Sequence, residues 1–239
     1  VALQFVREHK DRPFFLFFPT TIPHVALHVP DEELKPYLGK WKETPFVRSK
    51  GYGYTPHLTP RAAYAAMISR LDKDVGRIMA ILKELNLDED TVVFFTSDNG
   101  AQGSYAPNPV FFGAAGPLRG FKGSMYEGGL RVPMIVRWPG HIQANQTSHL
   151  PWAAWDLMAT FANLAGVQPP EHTDGISVVP TLLGRPDEQT PREYLYWEYG
   201  GQVAVRMGKW RAVKPRGRGK VAWELYDLSN DIGEKNDLA

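Results

Sequence analysis

TVVFFTSDNG, residues 91–100, runs from β-branched and aromatic residues straight into a carboxylate, a carboxamide and a glycine. Its first six residues have the composition of a strand covered on both faces, as in a parallel sheet. PFFLFFP at 13–19 is a second such run, bracketed by prolines, and VPMIVRW at 132–138 is a third. Between the first two lies a long helix. Thr59 suits its N-cap and Pro60 its first turn. Tyr64, Ile68, Leu71, Val75, Ile78, Leu82 and Leu85 then recur at steps of four and three, which predicts one apolar stripe. Asn86 and the DED at 88–90 end it. A later helix over about 152–165 is expected to turn Leu157, Met158, Phe161 and Leu164 inward and to stop at Gly166. Strands alternating with helices predict an α/β fold: a central mixed, mostly parallel sheet flanked by helices.

Residues 20–58, with TIPHVALHVP and GYGYTPHLTP, are polar and Pro-rich, and predict an extended loop region of the kind that often carries function. From about 190 the texture changes to short alternating aromatic segments, EYLYWEYG, QVAVRMGKWRAVK and VAWELYDL, which predict a small antiparallel sheet. The expected division is therefore a main α/β part over 1–185 and a small β-rich C-terminal subdomain over 186–239.

The whole-chain properties exclude several classes. Of 239 residues, 43% are hydrophobic, enough for one large domain or a domain with a small companion. Lys and Arg number 27 against 26 Asp and Glu, so the net charge of +1 suggests neither nucleic acid nor an anionic membrane as partner. KPRGRGK at 214–220 reads as a solvated hairpin loop. There is no cysteine, hence no disulfide, zinc–thiolate site or thiol nucleophile. No apolar run approaches the roughly 18–20 residues of a membrane span. The start, VALQFVREHKDRPFF, has neither an initiator Met nor the regions of a signal peptide and begins as if in mid-helix. A piece of a longer protein is expected.

In open parallel sheets ligands bind beyond the carboxyl ends of the strands. Asp98 and Asn99 sit there after the 91–96 strand, and His24 lies in the loop after 13–19. Asp and Asn together offer carboxylate and carbonyl oxygens, the donor set of hard cations such as Ca²⁺ or Mg²⁺. Zinc would draw His or Cys instead. Gly100 permits the sharp turn that two adjacent ligands need. Asp-Asn-Gly is also a common turn sequence. The neighbour that weighs against a plain turn is GPLRGFKGSMYEGGLRVPMIVRWPG, 116–140, where five glycines between 116 and 129 surround Lys122 and Glu127, with Arg131 just beyond. Such glycines let backbone approach backbone or a bulky anion. A lysine held there is a point charge for an anionic substrate. The spacing of a P-loop is absent.

These blocks resemble the sulfatases of the alkaline phosphatase superfamily. TVVFFTSDNG, LRGFKGSMYEGGLRVPMIVRWPG and WELYDLSNDIGEKNDLA carry the resemblance in family order. PFFLFFP…PHVALHVP is similar to the region of the family's active-site histidine. The resemblance implies an alkaline phosphatase-like sheet and hydrolysis of a sulfate ester. It implies Asp98 and Asn99 as ligands of Ca²⁺ (or Mg²⁺) and Lys122 as the lysine that binds the sulfate. His24 is implied as the histidine that protonates the leaving group, with His28 and His57 as rivals. Glu127 and Arg131 are read as ion-paired supports under the glycine loop. The family's nucleophile motif, Cys- or Ser-x-Pro-x-Arg, whose first residue becomes formylglycine, is not in this chain, so the C-terminal half or two-thirds of a sulfatase is implied. Secretion or a periplasmic location is implied by the family alone.

Two other readings stand beside this one. Phosphodiesterases and phosphonate hydrolases of the superfamily tend to carry Asp-His where this chain has Asp98-Asn99, because imidazole suits Zn²⁺ or Mn²⁺. A non-catalytic carbohydrate-binding remnant is the third. A sulfated carbohydrate is the favoured substrate over a small aryl sulfate; Trp41, Tyr52, Tyr54, His172, Arg216 and Arg218 could line a sugar cleft or be ordinary surface. Oligomeric state leaves no trace in the sequence.

Overall fold

The computed structural model describes residues 1–47, 53–103 and 110–239. Two compact units divide the chain: Val1–Thr91 with Gln102–Ala114, and Val92–Ala101 with Ala115–Ala239.

The first unit is helical. It holds α1 (Ala2–His9), α2 (Asp31–Leu34) and the long α3 (Pro60–Glu84). Pro60 sits in the first turn of α3 as expected, and Thr59 occupies the N-cap position without a side-chain cap bond. A distant carboxylate does that work instead. Glu43 Oε2 accepts the Arg61 amide at 3.0 Å and Oε1 the Ala62 amide at 2.9 Å. These satisfy two of the orphan donors of the helix start. The buried face of α3 is Ala62, Ala63, Ala66, Met67, Ile81 and Leu82, whereas Ile68 is 41% exposed. The sequence stripe is thus rotated at its N-terminal end. Small alanines there let the segment around Val25 and Leu27 pack closely on Ala63 and Met67, with Ile22, Val29, Leu34, Tyr54 and Tyr64 around them. Arg70 ties α2 to α3 through Glu33 at 2.9 Å while pairing Asp74 at 3.1 Å.

PFFLFFP at 13–19 takes no place in either sheet, and Phe15 and Phe17 are 66% and 76% exposed. The expected parallel sheet is therefore not what the described residues form. In the second unit β1 (Val93–Thr96) pairs with β2 (Met134–Arg137) antiparallel, in the register Val93↔Arg137 to Thr96↔Met134. Nor are β1 and β2 covered on both faces as expected: Val93–Phe95 are half-buried, Thr96 is exposed and Ile135 is 60% exposed, so an unbroken apolar run fixes neither burial nor strand direction. Between these strands lies the one-turn α4 (Glu127–Leu130). α5 (Asp156–Leu164) stops where Gly166 takes φ +69°, as expected. Its buried residues are Asp156, Ala159, Thr160 and Ala162, and Met158 is 57% exposed. Asp156 explains the rotation. Its carboxylate accepts the amides of Ala153 and Ile176, each at 2.8 Å, and the Arg192 guanidinium, which pulls that face inward.

After α6 (Val179–Leu182), β3 (Leu195–Tyr199), β4 (Gln202–Met207), β5 (Trp210–Lys214) and β6 (Glu224–Asp227) form a four-stranded antiparallel meander in sequence order. This is the small sheet the aromatic alternation predicts, and residues 216–220 of its β5–β6 connection are exposed. One face packs on the glycine loop through Met125, Ala204, Val213, Tyr226 and Leu228, with Tyr126, Leu130 and Trp197 beside them. Among the described residues no helix is long and apolar enough to cross a membrane.

Candidate functional site

The Asp98–Asn99 pair follows directly from β1. Thr96 Oγ1 donates to the Pro133 carbonyl at 2.9 Å, which holds the strand end, and Ser97 Oγ donates to the Asn99 carbonyl at 3.0 Å. Asp98 is exposed and Asn99 half-buried. The Asn99 carboxamide donates through Nδ2 to the Gly100 carbonyl at 3.1 Å. That bond occupies the amide nitrogen and leaves the carbonyl oxygen Oδ1 as the end available to a cation.

Gly100 is fixed against the glycine loop. Its amide donates to the Gly129 carbonyl at 3.0 Å, and the Lys122 amide donates to the Ala101 carbonyl at 2.8 Å. The loop closes on itself as well, with Gly128 donating to Arg119 O at 2.7 Å and Ser124 to Phe121 O at 2.9 Å. A Cβ on Gly100 would lie 1.9 Å from Gly128 O, one on Gly128 2.3 Å from Gly120 O, and one on Gly129 2.1 Å from Ser124 O. Three glycines are thus required because backbone packs on backbone. Asp98, Asn99 and Lys122 therefore belong to one hydrogen-bonded piece of main chain, with Lys122 exposed.

Beneath that loop Glu127 is 3% exposed and pairs with Arg131 at 3.5 Å and, more closely, with Arg211 at 2.8 Å. The support expected of Glu127 and Arg131 is present. Its main cation, Arg211, is one that sequence reading misses. Arg211 is wholly buried, and its Nη1 approaches Glu127 as an ion pair without being aligned as a hydrogen bond.

His24 belongs to the first unit and is exposed. Its Nδ1 donates to the Val25 carbonyl, and its ring meets Tyr54 edge-on at 5.9 Å between centroids. With Nδ1 so engaged, Nε2 is the nitrogen that can take and give a proton. Of its rivals, His57 is half-buried and accepts the Thr59 amide at Nδ1, 3.1 Å away. Burial first, and the nearby His28 second, hold the His57 pKa below the usual imidazole value. His57 is thus built into the start of α3. Trp41 stacks on Tyr37 at 6.3 Å and meets Phe112 edge-on at 5.4 Å, so it is part of an aromatic cluster. His172, Arg216 and Arg218 are exposed, and Tyr52 lies outside the described residues.

Among the described residues no group of three or more His, Asp or Glu gathers as a metal site. The oxygens of Asp98 and Asn99 fit a hard cation in kind but not in number, since Ca²⁺ takes about six to eight. Two donors do not complete such a ligand set.

Residues 1–167 match the Sulfatase family model, and residues 121–239 match the model described as N-sulphoglucosamine sulphohydrolase, C-terminal. N-acetylgalactosamine-6-sulfatase of Canis lupus familiaris is 34% identical over 215 residues, 88% of this chain and 36% of that protein. Arylsulfatase A of Homo sapiens is 33% identical over 257 residues, 97% of this chain and 45% of that protein. The solved structure of Ps i-CgsB in complex with k-i-k-neocarrahexaose has a TM-score of 0.77 at 32% identity, covering 99% of this chain and 49% of that one. The chain spans less than half the length of each of these relatives. With the glycine loop, the Asp-Asn exit of β1 and the C-terminal meander each falling within a matched region, the chain belongs to the sulfatase family.

Proposed function

We propose that the protein carrying this chain hydrolyses sulfuric esters, and that this chain supplies the part of the site that neutralises the sulfuryl group. Residues 1–185 are then the C-terminal part of the catalytic domain and 186–239 a small C-terminal subdomain. The observation that carries this reading is the bond from the Lys122 amide to the Ala101 carbonyl at 2.8 Å. It ties the main chain at Lys122 to the strand exit that bears Asp98 and Asn99.

Lys122 is the group that meets the anionic oxygens. An ammonium carried on a fixed stretch of main chain stabilises charge as it develops. Asp98 and Asn99 would hold Ca²⁺ or Mg²⁺, which supplies Lewis acidity to the sulfuryl oxygens. The formylglycine of the family, supplied by another part of the protein, provides the nucleophile. His24 is assigned the acid role: as the S–O bond to the alcohol breaks, the proton on Nε2 passes to the departing oxygen. The favoured substrate is a sulfated carbohydrate. Its support is the name of the relative N-acetylgalactosamine-6-sulfatase and the oligosaccharide in the Ps i-CgsB complex.

The test uses the full-length natural protein made where formylglycine is formed. Lys122→Ala and Asn99→Ala are each expected to lower kcat for a sulfated sugar by about 10²–10³, the usual loss for one preorganised group at a developing anion. Turnover of either variant at the parent rate would remove that residue from the site.

A further inference from the structure

The glycine loop is held from one side by residues far away in sequence. The Gly123 carbonyl accepts Nε2 of Gln202, on β4, at 2.8 Å. The Met125 carbonyl accepts Nη2 of Arg211, on β5. The Glu127 amide donates to Oε2 of Glu234, in the tail after β6, at 2.7 Å. Every second residue from 123 to 127 is therefore gripped by the C-terminal sheet or its tail. Arg119, at the loop's start, adds a bond from Nη1 to the Glu234 carbonyl at 2.9 Å. Lys122 has the other parity and is exposed, with its amide bound to Ala101.

The gripping residues are polar and buried. Arg211 and Glu234 are 0% exposed and Gln202 is 9%. Arg211 Nε donates to Glu234 Oε1 at 2.9 Å, so the guanidinium joins the two carboxylates that hold the loop. Burying such a set is costly, and a well-packed apolar replacement is often as stable or more so. An apolar core already joins sheet and loop at Met125, Ala204, Val213, Tyr226 and Leu228. Cohesion alone does not call for the polar set. What it adds is direction: each bond fixes one main-chain carbonyl or amide of the loop, which apolar packing leaves free to slide.

We propose that Gln202, Arg211 and Glu234 are positioning residues that set the backbone register of the Lys122 loop against the Asp98–Asn99 strand exit. The consequence for turnover rests on the proposed function; the consequence for the loop does not. The C-terminal sheet is then a part of the site at one remove, touching no reacting atom but deciding where its cation stands.

Two measurements on the full-length protein test this. Amide hydrogen exchange is compared in the parent, Gln202→Leu and Glu234→Gln, and kcat and KM are measured on a sulfated sugar. The Lys122 and Gly100 amides are expected to exchange about tenfold faster in Gln202→Leu, as the loss of one buried hydrogen bond implies. Amides within the β3–β6 ladders keep the parent rate. kcat falls by about 10²-fold, the effect of roughly 1 Å of misplacement, with KM little changed. Should Glu234→Gln fail to fold, Gln202→Leu decides, because it removes a single side-chain bond at the first residue of β4. Unchanged exchange at Lys122 and Gly100 overturns the proposal, as does equal loosening of loop and ladders. If the parent turns over no sulfate ester while the loop amides respond as expected, the positioning role stands and the proposed function fails.

Discussion

Replacing Gly100 by alanine is expected to open the site without altering any of its functional side chains. The new Cβ would lie 1.9 Å from Gly128 O, 2.8 Å from Gly128 C and 3.0 Å from Gly129 C. All three are main-chain atoms, so no rotamer change relieves the clash. Restoring an ordinary contact of about 3.5 Å requires the two segments to part by roughly 1.5 Å. The Gly100–Gly129 and Lys122–Ala101 hydrogen bonds, 3.0 and 2.8 Å, do not survive such a shift. Each contributes about 1 kcal/mol, and the overpacking itself costs about 1–3 kcal/mol, which together give about 3–5 kcal/mol. Six of the seven tryptophans lie in the second unit, so their fluorescence in urea reports its unfolding. At about 2 kcal/mol per molar urea the midpoint falls by about 1.5–2.5 M. Gly76→Ala, in the first unit, is the control and is expected to leave this second-unit midpoint unlowered. Gly76 lies inside α3, and a methyl group added there would meet nothing within 4 Å, so alanine stabilises the helix by about 1 kcal/mol. A Gly100→Ala protein that unfolds at the parent midpoint would refute the close backbone approach.

His24→Ala in the full-length protein is expected to slow hydrolysis of a sulfated sugar far more than that of nitrophenyl sulfate, because only the poor leaving group needs the proton; equal losses on both would take His24 out of the acid role. Asp227 is held well below the usual carboxylate range, first by the Ser229 hydroxyl and then by the Lys209 ammonium 2.9 Å away. A depressed folded pKa means its stabilisation is complete above the ordinary carboxylate pKa and is lost as pH falls towards the folded value. Asp227→Asn should therefore flatten the acid-side loss of stability below about pH 4, seen in urea midpoints; an unchanged acid slope would contradict it.

How much the sequence discloses depends on whether a signal is local. Proline at the start of α3, the aromatic alternation of the C-terminal meander and the crowding of glycines around Lys122 act within a few residues, and each is legible. Strand direction and depth are not, because TVVFFT and VPMIVRW carry only an unbroken apolar pattern; they pair antiparallel and are at most half-buried. The inward faces of α3 and α5 escape the apolar pattern where a polar or small residue outranks a large apolar one. Asp156, taking two amides and a guanidinium, is buried in place of Met158, and alanines are buried in place of Ile68. Glu43 caps a helix 17 positions away from Pro60 in sequence, and Arg211 reaches Glu127 across 84 positions. Charged residues are almost never fully buried unless paired, and no local pattern announces the pairing. Of the site itself, the residue types and glycine spacing are legible, whereas the polar grip beneath the loop exists only in three dimensions.

Sulfuric ester hydrolysis is tested most directly by release of inorganic sulfate from sulfated mono- and oligosaccharides by the full-length natural protein, made where formylglycine is formed. A bis-nitrophenyl phosphate reaction runs in parallel. Sulfate release that depends on Lys122, with little cleavage of the phosphodiester, is the expected result. Cleavage of the phosphodiester with no sulfate released from any sugar would contradict it.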